Sequence, residues 1–344
     1  MSWRKLEERD AAIVRSVETT TVIFGRDDLV ALVMTGKHRT RFLHAVTTQD
    51  VNGMAPGACQ RNTLCTAKGA LIGWWRQVSE PNREVLWTDR KGASALATAL
   101  MSYRVAERVK LQETDDLALI EVIGAEADKL AQAVGLELPA ADMMTSAATS
   151  WNTHAVRTWA TPMGGRTRDG VSGWSVQVPR EAMGELAGAL MGAGAKPGCH
   201  AAREVLRIQQ GVPRLAIDMP ADSGTTPLEL GLSDAVSLDK GCYLGHEALA
   251  MQSWRGQLRR HLTWLRAEPD SESAKLPPAG VKMRTSAGKR AGWTGGGYEL
   301  PDGERIGLGL VQRRAYVVDS QLHPVDSDAV FTVLGTTTPE VFSA

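Results

Sequence analysis

Hydrophobic and polar positions along this chain switch between a spacing of two and a helical spacing, and each switch marks an element. Thr19-Thr-Thr-Val-Ile-Phe24 is a β-rich run. From Gly36 the spacing turns helical, with Phe42, Leu43 and Val46 on one face and Arg39, Arg41 and Gln49 off it. Turn signals at Asp50-Val-Asn-Gly53 and Pro56-Gly57 close that unit. Leu71 to Trp75 and Val85 to Trp87 predict two strands joined by the turn Glu80-Pro-Asn-Arg83. The two indoles of Trp74-Trp75 then point to opposite faces, one to the core and one to an interface or channel. Ala93 to Val105, rich in Ala and Leu, predicts a helix.

The same rhythm repeats. Leu117 to Ile123 predicts a strand ending at Gly124, and residues 125–133 a helix. Strands over Ala155–Ala160 and Trp174–Val178 flank a Gly- and Arg-rich turn. A helix from Arg180 to Met191 has Pro179 at its start and Gly192-Ala-Gly194 at its end. Cys199 to Gln210 predicts another helix, ended by Gly211 and Pro213. Residues 214–257 lack regular periodicity but carry Leu, Val, Tyr and Trp at intervals, which argues for an ordered, functional segment. Beyond Arg259, short strand candidates (262–265, 281–284, 308–310 and 329–334) are separated by turn clusters. These clusters are Pro277-Pro-Ala-Gly280, Gly295-Gly-Gly297 and Pro301-Asp-Gly303, the texture of a small antiparallel barrel or sandwich. The expected division is an N-terminal α+β unit over 1–116 and a second over 117–216, able to interleave with the first. A connecting segment over 217–256 and a C-terminal β-barrel over 257–344 complete it.

Composition removes several classes. The 344 residues hold 39 Lys+Arg and 39 Asp+Glu. This balance argues against a long nucleic-acid footprint or a polybasic membrane surface, both of which need a basic excess. The short runs Arg259-Arg260-His261 and Arg313-Arg314 suffice only to steer a small anion. No stretch approaches the roughly 20 apolar residues of a membrane helix. The N-terminus has no apolar signal region. The four cysteines (Cys59, Cys65, Cys199 and Cys242) are too few for a disulfide scaffold and form no C-x2-C pair. A cytoplasmic protein is expected. No P-loop, dinucleotide fingerprint, G-x-S-x-G elbow or H-E-x-x-H pair occurs, and the seven histidines show no metal-ligand spacing.

One stretch carries chemistry: Asp239-Lys-Gly-Cys-Tyr-Leu-Gly-His-Glu247. A cysteine between glycines and close to a lysine has a flexible backbone and a cationic neighbour, and nearby positive charge lowers a thiol pKa. His246 adds to this if the segment turns helical, and Glu247 can orient a lysine or a ligand amine. A free cysteine buried as a small hydrophobe fits the same residues, and the residues alone leave both readings open.

The stretch Lys240-Gly-Cys-Tyr-x-Gly-x-Glu247 resembles the K-G-C-[YF]-x-G-Q-E signature of the YgfZ family, folate-binding relatives of the glycine-cleavage T-protein, an aminomethyltransferase. The resemblance extends through Arg203-Glu204, Leu206-Arg-Ile-Gln-Gln-Gly-Val-Pro213, Asp218, Thr226-Pro-Leu-Glu-Leu-Gly-Leu232 and Trp254-Arg-Gly256. A weaker likeness covers Phe42 to Val51 and Gly57 to Gly69. His246 stands where the family has Gln, and Met251 where it has Arg. The transferase branch places two aspartates after a glycine pair, but Lys68-Gly-Ala-Leu-Ile-Gly-Trp74 holds no carboxylate, and Gln209 replaces a glutamate that would contact the pterin. These departures favour the YgfZ branch, because aminomethyl transfer lacks its obvious proton partner.

The resemblance implies an α+β, three-domain ring with a C-terminal antiparallel β-barrel and a central channel for tetrahydrofolate. It implies an accessory role in assembly or repair of iron–sulfur enzymes, including those that thiolate tRNA. Cys242 would be the functional thiol, with Lys240 and Glu247 beside it. Arg207, Gln209, Glu229, Tyr243, His246 and Arg255 would serve the folate, and no metal site is implied. Partners would be tetrahydrofolate and iron–sulfur client enzymes, with no direct nucleic acid or membrane, and the protein a monomer. Two other readings remain: a tetrahydrofolate-dependent one-carbon transferase using Glu229, Asp218 or Glu247, and a binding module that has lost its ligand role. Trp75, Trp254 and Tyr243 are candidate pocket aromatics.

Overall fold

The computed structural model describes residues 3–55, 57–139, 145–161, 172–215, 217–220, 223–268 and 276–337. The expected Gly- and Arg-rich turn falls largely on 162–171, outside the described residues. Three sheets form the frame. The first runs, in spatial order, Cys59–Cys65, Leu71–Glu80, Arg83–Asp89, Leu29–Thr35 and Lys110–Thr114, antiparallel throughout. Helices Arg39–Val46 and Ala93–Ser102 cover one face, packing Phe42, Leu43, Leu96 and Leu100 against Leu64, Trp75 and Leu86.

The second sheet runs Lys196–Pro197, Thr21–Gly25, Leu117–Gly124, Ser172–Pro179, His154–Ala160 and Ser146–Trp151. The β-rich run near residue 21 thus sits beside Leu117–Gly124, so the chain crosses from this sheet to the first within a few residues. Leu117–Gly124 is buried at every position, as expected of a strand covered on both faces. Helices Ala127–Ala133 and Met183–Gly192 pack on it through Ala127, Leu130, Leu186 and Leu190.

The third sheet is a closed six-stranded antiparallel barrel in the C-terminal region. Its strands follow the circuit Arg290–Glu299, Lys282–Thr285, Gln321–Pro324, Phe331–Thr336, Arg260–Ala267 and Arg305–Gln312, which pairs again with the first. The α+β architecture and barrel expected from the sequence are therefore present. Gly295-Gly-Gly297, expected as a turn, lies instead inside Arg290–Glu299, at a bulge against Arg305–Gln312. The glycines are required by packing. A Cβ on Gly297 would sit 2.5 Å from the Trp3 ring, and one on Gly295 would sit 2.4 Å from Leu308 O. The N-terminal strand Arg4–Lys5 runs parallel along Tyr298 and Glu299, holding Trp3 against this wall.

Residues 214–257 are less irregular than their composition suggests, because His246–Trp254 is helical. Leu249 and Ser253 face inward while Met251 and Trp254 face out. Apolar residues on both sides erase the periodicity that would have revealed the helix. Gly245 precedes it with φ of 85°, and a Cβ there would lie 2.6 Å from Thr66 O, so the backbone approach demands glycine. Among the described residues no helix is long and apolar enough to cross a membrane.

Gly297→Ala should lower stability by about 1–3 kcal/mol, the usual cost of overpacking. Urea denaturation checks this, and an unchanged midpoint would remove the close-packing reason for the glycine.

Candidate functional site: a buried ion-pair chain and the cavity it walls

Helix His200–Gln209 passes between the sheets with residues 202–208 all buried, although three of them are charged. Its start is fixed by Cys199, whose Sγ accepts the backbone N–H of Ala202 at 3.4 Å. Arg203, Glu204 and Arg207 then become the middle of a continuous ionic chain. Arg26, which follows strand Thr21–Gly25, donates from Nε to Asp28 Oδ1 (2.9 Å) and from Nη1 to Glu121 Oε2 (3.1 Å). Glu121 Oε2 also accepts Arg203 Nε at 2.7 Å. Arg203 Nη1 reaches Glu204 Oε1 at 3.4 Å, and Arg207 Nε reaches Glu204 Oε2 at 3.2 Å. Arg207 Nη1 continues to Asp218 Oδ2 (2.7 Å), whose other oxygen accepts Gly296 N of the barrel (3.2 Å). A branch leaves through Arg214, which pairs with Glu204 Oε2 (3.2 Å) and donates from Nε to Asp89 Oδ2 (3.1 Å).

Four guanidiniums are thus woven among five carboxylates, in a chain that touches the first two sheets and reaches the barrel through Gly296 N. Burial raises the Glu204 carboxyl, but Arg207, Arg214 and Arg203 outweigh it and bring the pKa down to about 2. For Glu121, burial is likewise overcome by Arg203 and Arg26, and its value falls. Asp28 is burdened by desolvation, yet the hydrogen bond and charge of Arg26 hold it well below the usual carboxylate range. All three are therefore ionised at neutral pH.

This chain forms one wall of a cavity that opens to solvent. The facing walls carry the indoles of Trp74, Trp87 and Trp159, the guanidinium of Arg76, and the hydroxyls of Thr161 and Ser175. Trp87 is pinned by a hydrogen bond from its indole N–H to Gln177 Oε1 (2.9 Å), and Thr161 donates to Glu121 Oε1 (2.6 Å). The Trp74-Trp75 pair divides as expected: Trp75 is fully buried in the first sheet's core and Trp74 faces the cavity.

Of the residues expected at the site, Arg207 alone lines this cavity. Gln209 is exposed at the end of its helix. Glu229 is buried elsewhere, accepting Arg260 Nε (3.0 Å), Arg260 Nη2 (2.8 Å) and Thr226 N (3.0 Å). Lys240 donates to the carbonyls of Thr47 (2.6 Å), Gln49 (2.9 Å) and His44, tying the motif to the end of helix Arg39–Val46. Burial brings its pKa down to about 8. Tyr243 is buried with its ring 4.8 Å from the Lys240 ammonium and 4.8 Å from the His246 ring, and burial pushes its hydroxyl pKa up. His246 Nε2 lies 3.1 Å from Leu238 O. Cys242 is exposed, as are Glu247, Arg255, Met251 and Trp254.

The structure therefore separates two regions, an internal aromatic and ionic cavity and an exposed surface bearing the thiol. The cavity residues Trp87, Trp159, Arg76, Glu121 and Asp89 escape sequence reasoning. One signal was available, since Glu121 is the lone charge in the otherwise apolar run Leu117–Ile123.

The lining of this cavity comes from the first and second sheets, helix His200–Gln209 and the segment that follows it. The chain belongs to the GCVT N-terminal domain family, whose sequence pattern matches residues 3–240. It is 29% identical over 256 residues to an aminomethyltransferase of Legionella pneumophila (strain Paris), covering 71% of this chain and 68% of that protein. It is 24% identical over 321 residues to the tRNA-modifying protein YgfZ of Yersinia pestis (strain Pestoides F), covering 89% and 88%. Its fold is similar to that of the glycine cleavage system aminomethyltransferase T from Bartonella henselae, with a TM-score of 0.75 and 17% identity, over 95% of this chain and 88% of that one. The family resemblance carried by the sequence motif is borne out.

Glu204→Gln removes the shared partner of Arg207 and Arg214 and should cost about 3–5 kcal/mol at pH 7, as losing one member of a buried pair does. Because the folded carboxyl lies near 2 against an ordinary 4.5, its stabilisation is complete above pH 4.5 and fades as pH falls towards 2. Denaturation across that window should be less steep in the variant, and parallel profiles would contradict the assignment.

Proposed function

We propose that this protein binds tetrahydrofolate in the Trp74–Trp87–Trp159 cavity and acts as an accessory factor for iron–sulfur cluster assembly or repair, affecting tRNA thiolation indirectly. A pterin is a flat heteroaromatic ring with amino and carbonyl edges, and it fits walls that combine indole faces with fixed charges. The observation carrying this reading is that Asp28, Asp89 and Glu121, the carboxylates lining the cavity, are each ion-paired to an arginine. Clamped carboxylates can accept hydrogen bonds from a bound pterin. Asp28 and Glu121, held ionised by their arginines, are poor proton donors at neutral pH, which general acid chemistry on a folate amine would require. The exposed Cys242 is assigned as the functional thiol. Its exposure, away from the cavity lining, suits encounter with a client protein. The relative named YgfZ, matched over most of both chains, supports the same reading.

Aminomethyl or methyl transfer is the alternative, supported by the Legionella relative named aminomethyltransferase. Turnover of a glycine-derived aminomethyl carrier, or of a methylated amine, would establish it and displace the accessory role.

Calorimetric titration should show tetrahydrofolate binding to the wild-type protein. Trp74→Ala should weaken it roughly 2- to 10-fold, from about 0.5–1.5 kcal/mol of aromatic contact. Cys242→Ser should bind tetrahydrofolate as wild type does yet fail to restore iron–sulfur enzyme activities in a strain lacking the protein. Full restoration would remove the role given to Cys242.

A further inference from the structure

On the barrel side of helix His200–Gln209 lies a second, smaller recess, open to solvent. Arg207 and Arg214 belong to the walls of both the recess and the larger cavity. The polar groups facing this recess are almost all hydrogen-bond donors. Glu204 is its one lining carboxylate, and both oxygens are engaged, Oε1 by Arg203 and Oε2 by Arg207 and Arg214. Against it stand three guanidiniums, those of Arg4, Arg207 and Arg214.

Several of these donors have capacity left. Arg214 is only 9% exposed, and its Nη1 makes no hydrogen bond although Glu204 lies 3.2 Å away. Arg4 is exposed and forms no ion pair among the described residues. Tyr298, 6% exposed, has a hydroxyl without a hydrogen bond among the described residues, set in the field of Arg4, Arg207, Arg214 and Glu204. Gly296 keeps the barrel wall thin, so that Arg207 Nη2 comes within 3.9 Å of where a Cβ would be. Buried donors without acceptors are costly unless something supplies the missing lone pairs.

We propose that this recess is an oxyanion site, taking one carboxylate or phosphate group on Arg4, Arg214 and the Tyr298 hydroxyl. Two sources present that chemistry. One is a free anion such as inorganic phosphate. The other is the carboxylate tail of a ligand held in the larger cavity across the shared Arg207–Arg214 wall, and this source rests on the folate reading above.

Inorganic phosphate titrated calorimetrically into the full chain at constant ionic strength should bind, and Arg4→Gln and Tyr298→Phe should each weaken it at least about 5-fold, as charge-assisted donors imply. Arg9→Gln, at an exposed arginine outside the recess, should leave it unchanged. The tail is tested with folate against pteroate, which lacks the glutamate. If Arg4→Gln weakens folate alone, the tail fills the recess. Phosphate binding with no such difference identifies a free anion. The site is overturned if neither phosphate nor folate binding responds to Arg4→Gln or Tyr298→Phe. Because phosphate is a separate probe, loss of folate binding altogether would count against the folate reading and leave the oxyanion site to be decided by phosphate.

Discussion

Everything in this molecule is arranged around the carboxylate of Glu204. It holds Arg203, Arg207 and Arg214 at once, and through them it reaches Glu121 in the second sheet, Asp89 at the end of a first-sheet strand, and Asp218 against the barrel. Buried ion pairs contribute little net stability, since desolvation cancels most of their attraction. Their effect is geometric. A guanidinium stripped of water must meet its carboxylate at hydrogen-bond distance, so the three layers can sit together in only one way. The hydrophobic clusters stabilise each layer internally, while the ionic chain sets how the layers meet.

The same chain defines what the cavity can hold. Its charged wall is made of guanidiniums paired with carboxylates, set beside indole faces. The exposed thiol of Cys242 is not part of this lining and sits on a loop tied by Lys240 to the end of helix Arg39–Val46.

Much of the architecture was legible from periodicity. The Phe42–Val46 helix, the Leu71–Trp75 and Val85–Trp87 strands and the apolar Leu117–Ile123 run all follow from local spacing or from an unbroken apolar run. The His246–Trp254 helix was hidden, since Leu249 packs inward while Trp254 faces water. The glycine run 295–297 reads as a turn until Trp3, nearly three hundred residues away, is placed against it. The functional motif was conspicuous in sequence, yet its lysine and tyrosine serve packing and backbone capping as well as any chemistry. The cavity was the least legible part. Trp74, Trp87, Trp159 and Glu121 come from separate strands and become neighbours only when two sheets face each other, a relation that no local pattern encodes.

The seat of Trp3 on the barrel has a consequence for how the chain acquires its structure. Residues near position 3 are synthesised well before those near position 297, yet the strand Arg4–Lys5 finds its pairing partner only at Tyr298 and Glu299. Contacts of such separation close late, after the entropy of a very long loop has been given up. The indole of Trp3 must therefore stay without its berth through most of elongation, and its docking can serve as the final latch, joining the beginning of the chain to a barrel that exists only once the rest is made.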